Sequence, residues 1–356
     1  RYARLYEQPR QLALRGHEVL GLCLSYRPTQ VRDEWHPASP GRLRWVGLTP
    51  GRFGGLTYPR QALRLLRDFA PEILVGASDV PLIVLGGWLA GRLGVPFAAD
   101  LYDHFESFGL SRLPGLKLWY RRALRRAAVV SCVSEPLAAL VRDVYQTRGP
   151  VIALPSTIDR TLFHPRDRAT CRSALGLPVM GRLIGTAGGL SRDKGIAPLY
   201  RAFMQLAEEW RDLHLVLAGP VDPRCPPPSH PRVHYLGLLP HARTAELFCA
   251  LDVGVVYLRD TPYGRYSFPQ KIYEMAACGT PLAVACVGAM ATLFRGCTQA
   301  LYEPDDAASL VNCLRAQLAR PEAASLEIPD WSELAVHMER ALLVGMGQVG
   351  VPLQTH

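Results

Sequence analysis

A lysine and a glutamate three residues apart begin one predicted helix in residues 268–284, FPQKIYEMAACGTPLAV. Pro269 is typical of a helix start and Gly279 of a helix end, so Lys271 and Glu274 share one face near the amino terminus. Free N–H groups and the helix dipole attract phosphate at this end, and a lysine adds a positive charge. A carboxylate one turn later can accept two hydrogen bonds from vicinal hydroxyls, such as those of a ribose. A surface ion pair on an ordinary helix is the alternative.

A second segment, GTAGGLSRDKGI in residues 185–196, follows an apolar run and precedes a predicted helix. Gly188 and Gly189 let a ligand approach the backbone closely, and Lys194 follows five residues later. This turn suits a diphosphate, although its spacing is neither Walker A nor GxGxxG, and a simple tight turn is the alternative. The chain holds three lysines, at 117, 194 and 271, beside 37 arginines. Two of the three lysines therefore lie in the two candidate phosphate segments.

A third candidate group lies in the first half of the chain, in residues 96–109, PFAADLYDHFESFG. The apolar run predicts a strand that ends just before Asp103 and His104. Carboxyl ends of parallel strands face the ligand crevice of such sheets, so either side chain could contact a reacting group. The alternative is an aspartate at a helix start beside a solvated histidine.

The charge of the chain is uneven. Residues 1–165 hold 22 basic and 13 acidic side chains, whereas residues 166–356 hold 18 of each, so the whole formal charge of +9 lies on the first half. This asymmetry suits an anionic partner, and an arginine-rich coding bias is the alternative. The predicted basic helix over residues 115–128 suits an anionic lipid surface. Its candidate membrane-surface residues are Trp119, Arg121, Arg122, Arg125 and Arg126; a packed helix with a solvated basic face is the alternative.

Length and composition predict two folded domains. The chain has 356 residues, 49% of them hydrophobic and 20% charged, which excludes wholesale disorder. Nine scattered cysteines without a CxxC pair indicate reduced thiols in a cytoplasmic protein. Strands alternate with helices in both halves, which is typical of doubly wound α/β domains. Because the chain opens within a predicted helix, we expect the first strand of the first domain to be missing from this sequence.

The predicted organisation has four parts. An acceptor-binding Rossmann-like domain covers residues 1–160, and a linker covers residues 161–180. A nucleotide-sugar-binding Rossmann-like domain covers residues 181–330. Residues 331–356 form a last helix and tail, and one arrangement that we consider is that this segment crosses back to the first domain.

The two glycine- and lysine-bearing segments, in this order, resemble the second half of family 4 glycosyltransferases, which are retaining enzymes with the GT-B fold. The resemblance extends to residues 130–165, whose PSTID and FHP stand near the family's PNGVD and F-x-P, and to residues 232–256. It covers nearly the whole chain, more specifically in the second half. It implies two doubly wound Rossmann-like domains that face each other across a cleft.

The resemblance also implies roles for individual residues. Glu274 matches the second glutamate of the family's E-x7-E motif, which binds the ribose; Tyr266 stands in place of the first. Gly189 stands in place of a phosphate-binding arginine, and we infer that Lys271 supplies the lost charge beside Lys194. Asp103, His104, Lys194 and Lys271 are the predicted catalytic residues. The predicted nucleotide-sugar-binding residues are Gly188, Gly189, Lys194, Leu238, Leu239, Tyr266, Ser267, Lys271, Glu274, Gly288, Ala289 and Met290.

We therefore expect a metal-independent retaining glycosyltransferase without a cofactor, since no Asp-x-Asp pair is evident. Its partners would be a UDP- or GDP-type sugar donor and a saccharide or lipid-linked acceptor, with no nucleic acid. A role in making envelope glycolipid or polysaccharide fits a cytoplasmic protein at the inner face of the membrane. Alternatives are a non-catalytic sugar-nucleotide-binding module, a GT-B-type sugar-nucleotide epimerase and, on charge alone, a nucleic-acid-binding protein.

Overall fold

A computed structural model describes residues 4–25, 32–49, 54–107 and 109–348 of the chain. The chain forms two compact units, with boundaries after Ser156 and after Asp330. Unit 1 holds the first segment together with the last helix, and unit 2 holds the middle segment. The segment predicted as a linker, residues 161–180, lies within unit 2. Residues 1–3 and the predicted tail beyond Gln348 lie outside the described residues.

Unit 1 contains two sheets and the helices that cover them. Its helices and strands, in chain order, are α1 (Arg4–Leu14), β1 (Glu18–Leu24), β2 (Asp33–His36), β3 (Arg42–Leu48), α2 (Gly54–Phe69), β4 (Leu74–Ala77), α3 (Val80–Leu93), β5 (Phe97–Leu101), α4 (Leu116–Arg126), β6 (Val129–Cys132), α5 (Glu135–Ala139) and β7 (Val151–Ala153).

The two sheets of unit 1 differ in the direction of their strands. Strands β4-β5-β6-β7 lie in this order and all run parallel, as predicted for a doubly wound domain. The other sheet has the order β1-β3-β2, with β1 parallel and β2 antiparallel to β3. The sequence analysis missed β2 and β3, because DEWH has a single apolar residue and arginines interrupt the apolar residues of RLRWVGL.

Unit 2 has one continuous parallel sheet. Its helices and strands are α6 (Arg168–Ala174), β8 (Arg182–Ala187), α7 (Ala197–Glu209), β9 (Leu213–Ala218), β10 (Val233–Tyr235), α8 (His241–Ala250), β11 (Val253–Val256), α9 (Pro262–Tyr266), α10 (Lys271–Ala277), β12 (Leu282–Ala285), α11 (Ala289–Leu293), β13 (Leu301–Tyr302) and α12 (Ala307–Ala319). The strand order is β10-β9-β8-β11-β12-β13, with every pair parallel.

The last helix, α13 (Trp331–Gly345), completes unit 1. Its buried side chains, including Trp331 and Met338, pack against Ala98 of β5 and Val129 of β6. The burial of this apolar face explains why the helix lies with unit 1 although unit 2 precedes it in the chain. Among the described helices, none combines the length and apolar character required to span a bilayer.

Candidate functional site

The strand order of unit 2 creates one place where a ligand crevice is expected. From β8 the chain moves outward to β9 and β10, and then returns to the other side of β8 with β11. Where the connections that follow two neighbouring parallel strands run to opposite sides of the sheet, a crevice forms at the carboxyl ends of those strands. Gly188 directly follows β8 and Tyr257 directly follows β11. The predicted glycine-rich turn therefore lies at this switch point.

Two lysine side chains converge on the glycine-rich turn. A Cβ atom placed on Gly188, whose φ is +119°, would lie 3.2 Å from the Nζ of Lys271. A Cβ atom on Gly189 would lie 3.3 Å from the Nζ of Lys194. Residues more than 75 apart in the chain thus place two ammonium groups beside the same two glycines. This arrangement brings together the two segments that the sequence analysis singled out separately.

The electrostatics of Lys271 favour an anionic ligand. Part of the side chain reaches solvent, but its ammonium is surrounded by protein and lies 3.5 Å from the Oγ1 of Thr186. Burial, and then the neighbouring charge of Lys194, lower the pKa of Lys271 to about 8, while Glu274 acts in the opposite direction. A diphosphate between the two ammonium groups would offset both unfavourable effects.

Tyr257 is a functional candidate that the sequence analysis missed. Its hydroxyl donates a hydrogen bond to the carbonyl oxygen of Gly189 at 2.8 Å. Its ring centroid lies 4.8 Å from the Nζ of Lys271, which is a cation–π distance. The sequence does place Tyr257 at the carboxyl end of an apolar strand. That position becomes a candidate ligand site only because β11 lies beside β8, which the sequence does not show.

The segment with Tyr266 and Glu274 forms two short helices rather than one continuous element. Helix α10 begins at Lys271, two residues after the predicted start at Pro269. Glu274 is buried, and its Oε1 accepts a hydrogen bond from the Nε2 of Gln270 at 3.1 Å. Tyr266, the last residue of α9, is half-buried, and the following Ser267 is buried.

The remaining predicted nucleotide-sugar contacts differ in exposure. Leu238, after β10, is 75% exposed, whereas Leu239 is half-buried. Gly288 lies in the turn before α11, where a Cβ would come within 2.3 Å of the carbonyl oxygen of Arg265 at α9. Ala289 is half-buried and Met290 is fully buried. Met290 is therefore a core side chain, so a role at the ligand can involve only its backbone.

In unit 1, Asp103 and His104 lie just beyond the carboxyl end of β5. The backbone N–H of His104 donates to the Oδ1 of Asp103 at 3.0 Å, and its Nδ1 lies 2.5 Å from the Oγ of Ser107. His104 is buried rather than solvated. Burial lowers its pKa, and the positive charges of Lys117 and Arg121 act in the same direction against the effect of Glu106. The imidazole is therefore neutral at pH 7.

The side chains of helix α4 that were predicted to face a membrane differ in their contacts. Trp119 is 59% and Leu118 71% exposed. Arg121, however, forms two hydrogen bonds with Glu106, at 2.8 and 2.9 Å, and its guanidinium lies 5.1 Å from the ring of Tyr145. The Nε of Arg125 lies 3.4 Å from a backbone carbonyl oxygen. Arg121 is thus exposed but paired within unit 1, whereas Arg122 and Arg126 are exposed beside Trp119.

Within the described ranges, His, Cys, Asp and Glu side chains do not gather in any group of three or more that could hold a metal ion. The described cysteines are all free thiols, with no disulfide between them.

Comparisons with known proteins identify the family. Residues 3–157 match the family described as glycosyl transferase 4-like domain, and residues 181–320 match glycosyl transferases group 1. The chain belongs to this glycosyltransferase family. The predicted family is thereby confirmed, and the two matched segments together span most of the chain.

This glycosyltransferase has curated relatives of known name. It is 29% identical over 296 residues to D-inositol 3-phosphate glycosyltransferase 1 of Catenulispora acidiphila, across 72% of this chain and 68% of that protein. It is 23% identical over 318 residues to TuaC of Bacillus subtilis, which is named as a teichuronic acid biosynthesis glycosyltransferase, across 84% of this chain and 78% of that one.

Solved structures confirm the GT-B fold of the glycosyltransferase. Sucrose-phosphate synthase from Thermosynechococcus elongatus superposes with a TM-score of 0.77 at 20% identity, covering 96% of this chain and 92% of the other. Anabaena HepE in complex with UDP-glucose superposes with a TM-score of 0.62 at 18% identity, covering 85% and 84% of the two chains.

Proposed function

We propose that this glycosyltransferase transfers a sugar from a nucleoside-diphosphate sugar to an acceptor hydroxyl, with retention of anomeric configuration. The observation that carries the proposal is the convergence of Lys194 and Lys271 on the Gly188–Gly189 turn at the switch point of unit 2. In the transfer, the bond between the anomeric carbon and the diphosphate oxygen breaks, and the bond to the acceptor oxygen forms. The departing diphosphate takes the electron pair, and the two ammonium groups stabilise that charge.

We assign recognition of the nucleoside to the neighbouring residues. The buried carboxylate of Glu274 is oriented by Gln270 and suits the two ribose hydroxyls. Leu238 offers exposed apolar surface for the base, and Tyr266 and Ser267 offer hydroxyls for the donor sugar. The turn at Gly288 and Ala289 offers backbone N–H groups. A UDP-type donor is supported by the neighbour HepE, which was crystallised with UDP-glucose; a GDP-type donor is the other candidate.

We assign Asp103 and His104 to the acceptor, a saccharide or lipid-linked molecule. A neutral, buried imidazole held by Ser107 can accept a proton from a hydroxyl group. We further propose that the reaction needs neither a metal ion nor a cofactor, because two lysines supply the positive charge that a metal would otherwise provide at a diphosphate. The protein would act at the cytoplasmic face of the membrane in envelope glycolipid or polysaccharide synthesis, which the name of TuaC supports.

A donor screen tests this function directly. Thermal shift with UDP- and GDP-sugars should give one preferred donor, and turnover of that donor should persist in EDTA. The anomeric proton signal of the product, followed by NMR, should have the configuration of the donor. Inversion of configuration would overturn the retaining mechanism. Donor binding without hydrolysis or transfer to any saccharide or lipid-linked acceptor would favour the non-catalytic alternative.

A further inference from the structure

Three cysteines of unit 2 lie far apart in the chain and close together in the fold. Cys171 belongs to α6, Cys249 belongs to α8, and Cys278 directly follows α10. Helix α8 packs against both α6 and α10. All three residues are buried, with 4–5% of each exposed. Buried cysteine commonly acts as a small apolar side chain, so the contacts of these thiols decide whether they do more.

Hydrogen bonds to α8 hold Cys278 beside Cys249. The Sγ of Cys278 lies 3.8 Å from the carbonyl oxygen of Ala245. The backbone N–H of Cys249 donates to that same carbonyl oxygen, because Cys249 stands four residues after Ala245 in the helix. Two residues beyond Cys278, the hydroxyl of Thr280 donates to the carbonyl oxygen of Phe248 at 2.7 Å. The segment that follows α10 is thus bonded to the turn of α8 that carries Cys249.

The thiols of Cys249 and Cys278 also bond to each other. The hydrogen bond from the thiol of Cys278 lowers the pKa of Cys249 to about 7, against the effect of burial. The backbone N–H and the positive charge of Arg166, and the thiol of Cys171, act in the same direction as Cys278. The remaining proton of the pair stays on Cys278, whose pKa is raised. Cys249 is therefore a buried thiol that ionises near neutral pH while a second thiol remains protonated beside it.

We propose that Cys249 and Cys278 are a modification site for hydrogen peroxide, at which the two thiols are oxidised to a disulfide. The thiolate of Cys249 attacks one peroxide oxygen, the O–O bond breaks, and the leaving oxygen takes the electron pair and a proton and departs as water. The sulfur of Cys278 then attacks the sulfur of the resulting sulfenic acid. The S–O bond breaks, and the hydroxyl group leaves with the thiol proton of Cys278 as a second water. The two thiols lose two electrons, which reduce the peroxide.

The burial of the pair limits which oxidants can react with it. Hydrogen peroxide is close to water in size, whereas glutathione disulfide must bring a whole tripeptide to a residue that is 5% exposed. Cys225, in the loop after β9, is half-buried, and burial raises the pKa of its thiol. A protonated thiol is a poor nucleophile, so Cys225 should react with peroxide more slowly than Cys249 although it is more accessible.

The disulfide joins α8 to the end of the helix that carries Lys271 and Glu274. The backbone N–H of Cys278 donates to the carbonyl oxygen of Glu274 at 3.2 Å, so Cys278 is continuous with the last turn of α10. A crosslink there suppresses the local openings that separate α10 from α8. Peroxide thereby restrains the helix of the donor site. This consequence rests on the proposed function, whereas the formation of the disulfide does not.

The test treats the full chain with hydrogen peroxide at pH 7 and maps its disulfides by mass spectrometry without a reducing agent. Wild-type protein should yield a peptide pair joined through Cys249 and Cys278, and dithiothreitol should reverse the change. Cys249→Ser should form no disulfide. Cys278→Ser, which keeps a hydroxyl donor, should stop at the sulfenic acid of Cys249, which dimedone captures. Cys225→Ser is the matched control and should form the disulfide as the wild type does.

Two further measurements use the same protein. Glutathione disulfide should leave the pair reduced, and peroxide should slow hydrogen exchange of the α10 amides at least about threefold without changing those of α7. Oxidation of Cys225 ahead of Cys249, or a sulfinic acid at Cys249 without a disulfide, would overturn the proposal. A disulfide between Cys249 and Cys171 would remove Cys278 from it. Unchanged exchange in α10 after the disulfide has formed would show that the crosslink does not restrain this helix.

Discussion

The ring centroid of Tyr257 lies 4.8 Å from the Nζ of Lys271, while its hydroxyl donates a hydrogen bond to the carbonyl oxygen of Gly189 at 2.8 Å. One side chain therefore contacts both the glycine-rich turn and the lysine that faces it. The aromatic ring favours the charged form of Lys271, whereas burial and Lys194 favour the neutral form and lower its pKa to about 8. Tyr257 acts as a positioning residue for the proposed diphosphate site.

Replacing Tyr257 with Leu should shift the pH dependence of kcat/KM. If Lys271 must be charged, activity falls as pH rises through its pKa of about 8. Leu keeps the site apolar but removes the ring, so that pKa should fall by roughly half a unit, equivalent to a cation–π interaction of about 0.5–1 kcal/mol. The alkaline limb should therefore move to lower pH. Tyr257→Phe, which keeps the ring and loses the bond to Gly189, is the control and should leave that limb in place.

Replacing Lys271 with Met should stabilise the folded protein while impairing turnover. The folded pKa of about 8 lies below the ordinary lysine value of 10.5, so the unfolded chain binds more protons between these pH values and stability rises with pH across that window. At pH 7 a buried charge opposes folding, and its removal should add about 1–3 kcal/mol to the free energy of unfolding. Urea titrations at pH 7 and pH 10 measure this difference, which should be smaller at pH 10.

The control for this change is Lys194→Met, since Lys194 is exposed and should alter stability by less than about 0.5 kcal/mol. Both variants should lower turnover of the preferred donor at least tenfold, because each removes a charge beside the departing diphosphate. Wild-type rates in Lys271→Met would contradict a role for this residue at the diphosphate.

Replacing Glu274 with Gln should weaken nucleotide binding by roughly 2–3 kcal/mol, as is typical of losing charge-assisted hydrogen bonds. The amide retains the size of the side chain, so the buried helix α10 should keep its structure. Isothermal titration with UDP and GDP measures the loss. Gln270→Glu tests the same contact through its other partner, because it replaces the amide that donates to Glu274 with a second carboxylate. Unchanged affinities for both nucleotides in Glu274→Gln would exclude the ribose role.

Local sequence patterns predict most helices, most of the parallel strands and the three segments that carry Lys194, Lys271 and Asp103, but not β3 or β13. These assignments depend on short-range patterns of apolar residues, glycine and proline. Tyr257 was missed because its role follows from β11 lying beside β8, and no local sequence pattern predicts the order of strands in a sheet. The pairing of Arg121 with Glu106 was not predicted, because helical spacing shows which residues share a face but not which side chains of other elements meet that face.

The ion pair between Arg121 and Glu106 should make a larger contribution to stability than the other arginines of α4. The carboxylate is 7% exposed and also accepts a hydrogen bond from Tyr145 at 2.8 Å. Burial raises the pKa of Glu106, but the bonds from Arg121 and Tyr145 outweigh it, so the pKa lies below its ordinary value. Its contribution is therefore present above the unfolded pKa and is lost as pH falls through the folded pKa.

Arg121→Gln should accordingly cost about 1–3 kcal/mol at pH 7, because it leaves a buried carboxylate with fewer partners. Arg122→Gln, at an exposed position on the same helix, should cost less than about 0.5 kcal/mol. Urea unfolding at pH 7 and pH 3 distinguishes the two. Equal losses for both variants would mean that the pair has no special contribution.

The exposed part of α4 should bind anionic membranes through Trp119, Leu118, Arg122 and Arg126. Each basic residue near such a surface contributes about 1 kcal/mol, so two arginines with two exposed apolar side chains give reversible attachment. Vesicles of phosphatidylglycerol and phosphatidylcholine should sediment the protein at low salt. This attachment should weaken at high ionic strength, because the Debye length falls to about 3 Å at 1 M salt.

The membrane test requires variants that leave Arg121 in place, because its loss would disturb Glu106 as well. Trp119→Ser combined with Arg122→Gln and Arg126→Gln should abolish sedimentation and leave hydrolysis of the donor unchanged. Trp88→Ser is the matched control, since Trp88 is a 44% exposed tryptophan on α3, with the guanidinium of Arg92 5.0 Å from its ring. If the Trp88 variant loses binding as fully as the α4 variant, or if wild-type protein fails to sediment at low salt, α4 is a solvated face and the acceptor is recognised away from lipid.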